Sequence, residues 1–377
     1  MSPLERTGRV GVIGAGIVGL ATAWELEQRG IEFDVFEYGA PGGGQSRGES
    51  RIFRHAHDDP RLVELALRSR RLWHEWEREF GVQLISPDGV VSIGRRVLKQ
   101  LDLMREVEPG IRVGEIGPAR LRDVLPVLAD YDGPIVLDEE GGAIRTRLTI
   151  ASLLERVGQW LIPVKVDAVE ILPGGQAAIR AGGIRRVYDT VIVCAGVGTE
   201  RLAALNEVAI PVQVEAQIRV TYPIRPEHRR GLASIRDGSG RHESSGVYGS
   251  PVRGNTHYSI GLSQTGAVSG NGLIDWDQVE RLAGRTDEWV RRAMPGLDPD
   301  RGEGLTCWVT RLPWSADGFA VWRRGPVLHL VGNNMFKMAP VLAEALVDAA
   351  LEGGVPEGMG RRDRLGSPIS AASQKTL

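Results

Sequence analysis

The hydrophobic pattern changes period along the chain, and the changes mark out its elements. Val10 to Ile13 is a short apolar run that passes without a break into Gly14-Ala15-Gly16-Ile17-Val18-Gly19. Leu20, Ala21, Ala23, Trp24 and Leu26 follow at helix-compatible spacing, and Gly30 closes that helix. A second apolar run goes through Phe33 to Phe36 and ends at Glu37. Residues 60 to 80 predict a strongly amphipathic helix. Alternation from Leu84 to Ile93 around Pro87-Asp88-Gly89 predicts hairpin strands. Helices are predicted over 97–107, 117–126 and 147–157, and a strand over 133–139. A further strand signal covers 164–171, with a hairpin at Gly174-Gly175. The run Val191-Ile192-Val193-Cys194-Ala195-Gly196 has the composition of a buried parallel strand closing on a ligand.

Farther on, strands are predicted over 212–222 and 257–262 and a helix over 276–293. A last strand at 327–331 leads to an apolar helix over 338–351. The alternation of strand and helix therefore recurs at 1–80, 145–208 and 314–355, with β-rich stretches between. At 377 residues the length allows about two to three domains. The expected fold is α/β: a Rossmann-type domain from residues 1–82, 145–208 and 314–377, interleaved with a β-rich α+β substrate domain from 83–144 and 209–313.

The first strand, glycine turn, helix, second strand and terminal acid stand in the order of a dinucleotide-binding fingerprint. Gly14 makes the tight turn, Gly16 lets the backbone approach a pyrophosphate, and Gly19 allows close packing of helix on strand. The helix N-terminus at Ile17 and Val18 offers N–H donors to the phosphates, and Glu37 can accept from ribose hydroxyls. On the motif alone the dinucleotide is FAD or NAD. Its position at the start of the chain, with no second GxGxxG, favours a flavoprotein, in which the cofactor stays bound and carries the chemistry.

Composition narrows the alternatives. A net charge of −2 and a pI near 6.4 give no global field for nucleic acid or an anionic membrane. Two cysteines, Cys194 and Cys307, exclude a disulfide framework and a CxxC metal site. The seven histidines form no metal-binding spacing, and His55 and His57 read as structural or site residues rather than ligands. No run reaches the roughly 18 apolar residues of a membrane span. The start, MSPLERTGR, lacks the apolar core of a signal peptide. A cytoplasmic, reducing location is expected, and the tail GSPISAASQKTL is predicted to be disordered.

Three further segments carry a resemblance. Arg47-Gly48-Glu49-Ser50-Arg51-Ile52-Phe53-Arg54-His55-Ala56 is similar to an HGDTRxxRxA segment. Thr306-Cys307-Trp308-Val309-Thr310, with Pro313 and Asp317-Gly318-Phe319, is similar to TCxYTxTPDxxF. Gly332 through Met335-Phe336-Lys337 is similar to a GHGFK segment. With the fingerprint, these resemble the monomeric sarcosine oxidase family, within the D-amino-acid oxidase-like flavoproteins, over nearly the whole length. The resemblance implies bound FAD, covalently attached through Cys307, with contacts from Gly14, Gly16, Ile17, Val18, Glu37, Ser50, Arg51, Val166, Ala195, Gly196, Met335 and Lys337. It implies a catalytic set of Arg51, Arg54, Tyr248 and Lys337. Arg54 and Lys337 match positions that hold a substrate carboxylate, where charge-assisted bonds contribute about 1.5–3 kcal/mol each. Arg51 matches an arginine against the flavin ring, where its charge would stabilise the reduced anion. Cys194, inside an apolar strand, reads as an inert buried thiol.

The departures bear on mechanism. Aligning Tyr248-Gly249-Ser250-Pro251 with the family's YGFP puts Ser259 where the family has an oxygen-promoting lysine and Ser263 where it has a histidine. Val309 replaces a tyrosine, Arg47 replaces a histidine, and Asn333-Asn334-Met335 replaces glycines. Expected is an FAD-dependent oxidation of the C–N bond of a secondary, cyclic or α-amino acid to an imine, with O2 reduced to peroxide. The departures favour a substrate larger than sarcosine or with different functional groups. The alternative is a dehydrogenase that passes its electrons to another acceptor. An aromatic hydroxylase lacks its Gly-Asp motif here, since Gly332-Asn333 stands in that place. A non-catalytic flavin protein would have no use for Arg54 and Lys337. Partners are expected to be a small amine or amino acid and O2, with no metal, nucleic acid or membrane, in a monomer or small homo-oligomer.

Overall fold

A computed structural model describes residues 9–244, 246–269 and 272–366 of the chain. The start MSPLERTG, read as lacking the apolar core of a signal peptide, and the tail beyond Gly366, read as disordered, lie outside the described residues. The chain divides into two compact units. One comprises 1–47, 150–213 and 310–377, and the other 48–149 and 214–309. Residues 48–82 belong with the second unit because strand Ser50–Phe53 pairs with Gly142–Arg145, and helix Pro60–Phe80 packs on helix Arg96–Val107.

The first unit is built on a six-stranded sheet in the order Phe319–Arg324, Val327–Gly332, Thr190–Val193, Val10–Ile13, Phe33–Glu37, Leu161–Pro163. All neighbours run parallel except the first pair. Val10–Ile13 is wholly buried, which is why it reads as an unbroken apolar run rather than an alternating one. Helix Ile17–Gln28 packs against helix Ala339–Glu352. A separate three-stranded antiparallel sheet, Val166–Ile171, Ala177–Ala181 and Ile184–Tyr188, turns at Gly174 and Gly175, both at positive φ. The strand expected over 164–171 forms as Val166–Ile171 in the small sheet, and Leu161–Pro163 just before it is a separate strand of the large sheet.

The second unit carries a nine-stranded sheet. Its main order is Gly266–Ala267, Gln213–Pro223, His257–Leu262, Val247–Val252, Ser234–Asp237, Val90–Ile93, Ile135–Asp138, Val113–Glu115, with Glu303–Arg311 also paired to Gln213–Pro223. One face is covered by helix Trp276–Ala293, whose apolar stripe of Val279, Leu282, Trp289 and Val290 joins Tyr222, Tyr258 and Ile260 in the core. Asp275 caps that helix by accepting from the Gln278 N–H at 2.9 Å. The hairpin expected over Leu84–Ile93 does not form. Ile85 bridges to Ile144, while Val90–Ile93 lies between Ser234–Asp237 and Ile135–Asp138. Local alternation was right, but the partners are distant in sequence.

His55 is fully buried. Its Nδ1 lies 3.1 Å from both carboxylate oxygens of Asp138, and its backbone N–H donates to Asp138 Oδ2 at 2.9 Å. Burial pushes the Asp138 carboxyl up, but His55 and the backbone N–H groups of His55 and Gly141 outweigh it and hold the group below the usual carboxylate range.

Candidate active site

In the first unit the glycine turn is tied down on every side. The Gly14 N–H donates to the Phe36 carbonyl at 2.8 Å, and Gly14 has φ +100° with the Cys194 carbonyl only 2.5 Å from where a Cβ would sit. No side chain fits there. A Cβ on Gly19 would collide with the Gly14 carbonyl, so this position too accepts only glycine. Glu37 ends its strand with one oxygen accepting from the Ala15 N–H at 2.9 Å and the other from the Gly39 N–H at 2.8 Å. Its carboxylate is thus anchored over the turn, where a ribose would meet it. Gly16 caps helix Ile17–Gln28 without a side-chain bond, and Ser46 Oγ accepts from the Ile17 N–H at 2.9 Å. A bare turn, a helix N-terminus and an anchored acid together fit the pyrophosphate and ribose of a dinucleotide.

The other first-unit candidates frame the same sheet edge. Ala195 and Gly196 follow strand Thr190–Val193, with Gly196 at φ +56° against the Gln45 side chain. Val166 opens its strand, and its carbonyl accepts from Arg201 Nη2 at 3.0 Å. Met335 is half-buried and Lys337 is buried, in the turn that precedes helix Ala339–Glu352. There the Met338 N–H donates to the Met335 carbonyl at 3.0 Å. Thr310 Oγ1 fastens the start of this segment by donating to the Gly332 carbonyl at 2.6 Å. Cys194 carries no activating neighbour; burial pushes its thiol up to about 12, in line with the inert reading.

In the second unit Ser50, Arg51, Tyr248 and Cys307 converge, and a residue that the sequence reading missed joins them. Arg219, in the middle of strand Gln213–Pro223, is buried and donates through Nη1 to the Ser50 carbonyl at 2.8 Å. Its Nη2 lies 3.7 Å from Cys307 Sγ. Arg51 Nη1 donates to the same Ser50 carbonyl, also at 2.8 Å. Burial, then the nearby Arg219 charge, push Arg51 down to about 9, partly offset by Cys307 and Tyr248. At that value it keeps its charge at neutral pH. Ser50 Oγ meets Ser250 Oγ at 2.6 Å. The Tyr248 ring lies over Gly261, where a Cβ would be 2.5 Å from both Cζ and Oη. Arg54 is half-buried just past strand Ser50–Phe53. Ser259 is buried and sits opposite Ser250 in the strand pairing.

Among the described residues no group of three or more His, Cys, Asp or Glu could hold a metal ion. No helix among them is long and apolar enough to cross a membrane.

The family model described as "DAO: FAD dependent oxidoreductase" matches residues 9–349. The chain is similar to the monomeric sarcosine oxidase of Streptomyces avermitilis, 26% identical over 399 residues, covering 96% of this chain and 98% of the relative. It is also similar to that of a Bacillus species, 24% identical over 326 residues and 80% of each chain. Among solved structures, NikD, described as an unusual amino acid oxidase essential for nikkomycin biosynthesis, superposes with a TM-score of 0.77 at 19% identity. That match covers 97% of this chain and 98% of the other, and shows the shared fold. The chain belongs to the DAO family of FAD-dependent oxidoreductases.

Proposed function

We propose that the protein oxidises the C–N bond of a secondary, cyclic or α-amino acid to an imine and passes the electrons to O2, giving peroxide. The observation that carries this reading is that relatives aligning over 96% and 80% of the chain are named monomeric sarcosine oxidase. FAD, when bound, supplies the hydride acceptor. The residues of this chain do the rest. The helix N-terminus at Ile17 and Val18 holds the pyrophosphate, and Glu37 the ribose. Val166, Ala195, Gly196 and Met335 would offer backbone contacts to the cofactor, and Ser50 would add a backbone or side-chain contact to it. The guanidinium of Arg54 and the ammonium of Lys337 hold the substrate carboxylate, so that the C–H beside nitrogen is the bond presented. Tyr248 orients the amine, which must be neutral to react. Arg51 would supply positive charge to stabilise the cofactor in its reduced form. Cys307 forms the covalent tether. Neither cysteine is in a disulfide, which suits a reducing compartment such as the cytoplasm.

A second reading, a dehydrogenase with the same first half-reaction, is favoured by Ser259, a neutral residue where the resemblance puts an oxygen-promoting lysine. Turnover of a panel of amino acids, followed by oxygen uptake, peroxide release and reduction of an artificial dye, separates the two. Peroxide equal to substrate consumed supports the oxidase. Dye reduction without oxygen uptake replaces it with the dehydrogenase, and no turnover with either acceptor contradicts both.

A further inference from the structure

Two guanidiniums share one thiol in the second unit. Cys307 sits mid-strand in Glu303–Arg311, which pairs with Gln213–Pro223, and that pairing sets Arg219 Nη2 at 3.7 Å from Sγ. Arg51, from strand Ser50–Phe53, also hydrogen-bonds Cys307. The Ser50 carbonyl accepts from both arginines and holds the like charges side by side. Gly48 makes the room, because a Cβ there would lie 2.6 Å from Arg219 Nη2 and 2.9 Å from Arg51 Nη1. Arg219, Cys307 and Tyr248 are the groups that act most strongly on the Arg51 charge. Cationic neighbours favour the thiolate over the thiol, and the thiolate is the nucleophile.

We propose that Arg219 is a positioning residue which, with Arg51, holds Cys307 as a thiolate and so makes it the chain's nucleophile toward an electrophilic carbon. The assignment of that carbon to the flavin 8-methyl group rests on the covalent reading above. In that step Cys307 Sγ bonds to the methyl carbon and one methyl proton leaves to solvent. The electron pair brought by sulfur stays in the flavin until a two-electron oxidant, O2 in that reading, removes it. Cys194, whose thiol is pushed the other way by desolvation, is the internal contrast.

The test uses the purified holoprotein in the wild type, Arg219→Gln and Arg219→Lys, all on a Cys194→Ser background. Intact mass and denaturing gels give the tethered fraction; total flavin per chain reports folding of the site. If the wild type is tethered, Arg219→Gln should keep its flavin but tether it about tenfold more slowly at neutral pH, since one pKa unit is a factor of ten. Arg219→Lys or alkaline pH should restore the rate. If the wild type is not tethered, the covalent reading fails and the proposal is read from iodoacetamide, which forms the S–C bond and releases iodide. The midpoint of its pH–rate profile should then lie below that of free cysteine in the wild type and rise in Arg219→Gln. Equal tethering or alkylation in wild type and Arg219→Gln at every pH overturns the proposal. So does a loss restored by neither Arg219→Lys nor alkaline pH, which would make Arg219 a purely structural residue.

Discussion

Arg51 and Arg219 donate to one acceptor, the carbonyl of Ser50, each at 2.8 Å. Side by side they repel, and the shared carbonyl dipole offsets part of that repulsion. The arrangement needs Gly48, whose φ of +126° and lack of a Cβ leave space for both guanidiniums. Gly48→Ala should therefore cost about 1–3 kcal/mol, from left-handed strain and overpacking together. Gly44→Ala is the control, because a Cβ there meets nothing within 4 Å. Urea unfolding of the two variants should show a clear fall in midpoint for the first and almost none for the second.

Gly14→Ala tests the dinucleotide cradle. A methyl group at φ +100° would press on the Cys194 carbonyl, so the turn must open. The expected outcome is protein that is purified with little or no flavin and a visible spectrum without the yellow band. A variant that keeps full flavin would show that the glycine turn does not carry the cofactor.

His329 sets a pH dependence of stability. It is fully buried in strand Val327–Gly332, neither ring nitrogen has a hydrogen-bond partner, and burial pushes it down to about 4. The folded state therefore holds it neutral, while the unfolded chain takes up a proton near pH 6.5. As pH falls below about 6.5 the unfolded state gains, by about 2 kcal/mol at pH 5, and the penalty levels off below pH 4. His329→Leu should flatten the stability curve over this window. Parallel curves for wild type and variant between pH 7 and 5 would contradict the assignment.

The sequence made the cofactor cradle legible because its requirements are local. Gly14, Gly16 and Gly19 answer to a turn, an approach and a packing contact within six residues, and Glu37 closes the same strand–helix–strand unit. Arg219 was not legible. It alternates with Ile218 and Val220 on the other face of its strand, where an arginine reads as a solvent-facing residue. Only the pairing of Glu303–Arg311 with Gln213–Pro223 turns that face into the surroundings of Cys307. The false hairpin at Leu84–Ile93 has the same origin. Alternation shows that a segment is a strand and which face is apolar, but the partners of Val90–Ile93 are Ile135–Asp138 and Ser234–Asp237, both far along the chain.

The most direct test of amine oxidation is anaerobic mixing of the yellow protein with N-methyl, cyclic and primary amino acids while the visible flavin band is followed. One class should bleach the band within the mixing experiment, and bleaching should be lost or slowed by Arg54→Gln or Lys337→Gln. If no amino acid bleaches the flavin, the carboxylate-holding roles of Arg54 and Lys337, and with them the proposed reaction, are contradicted.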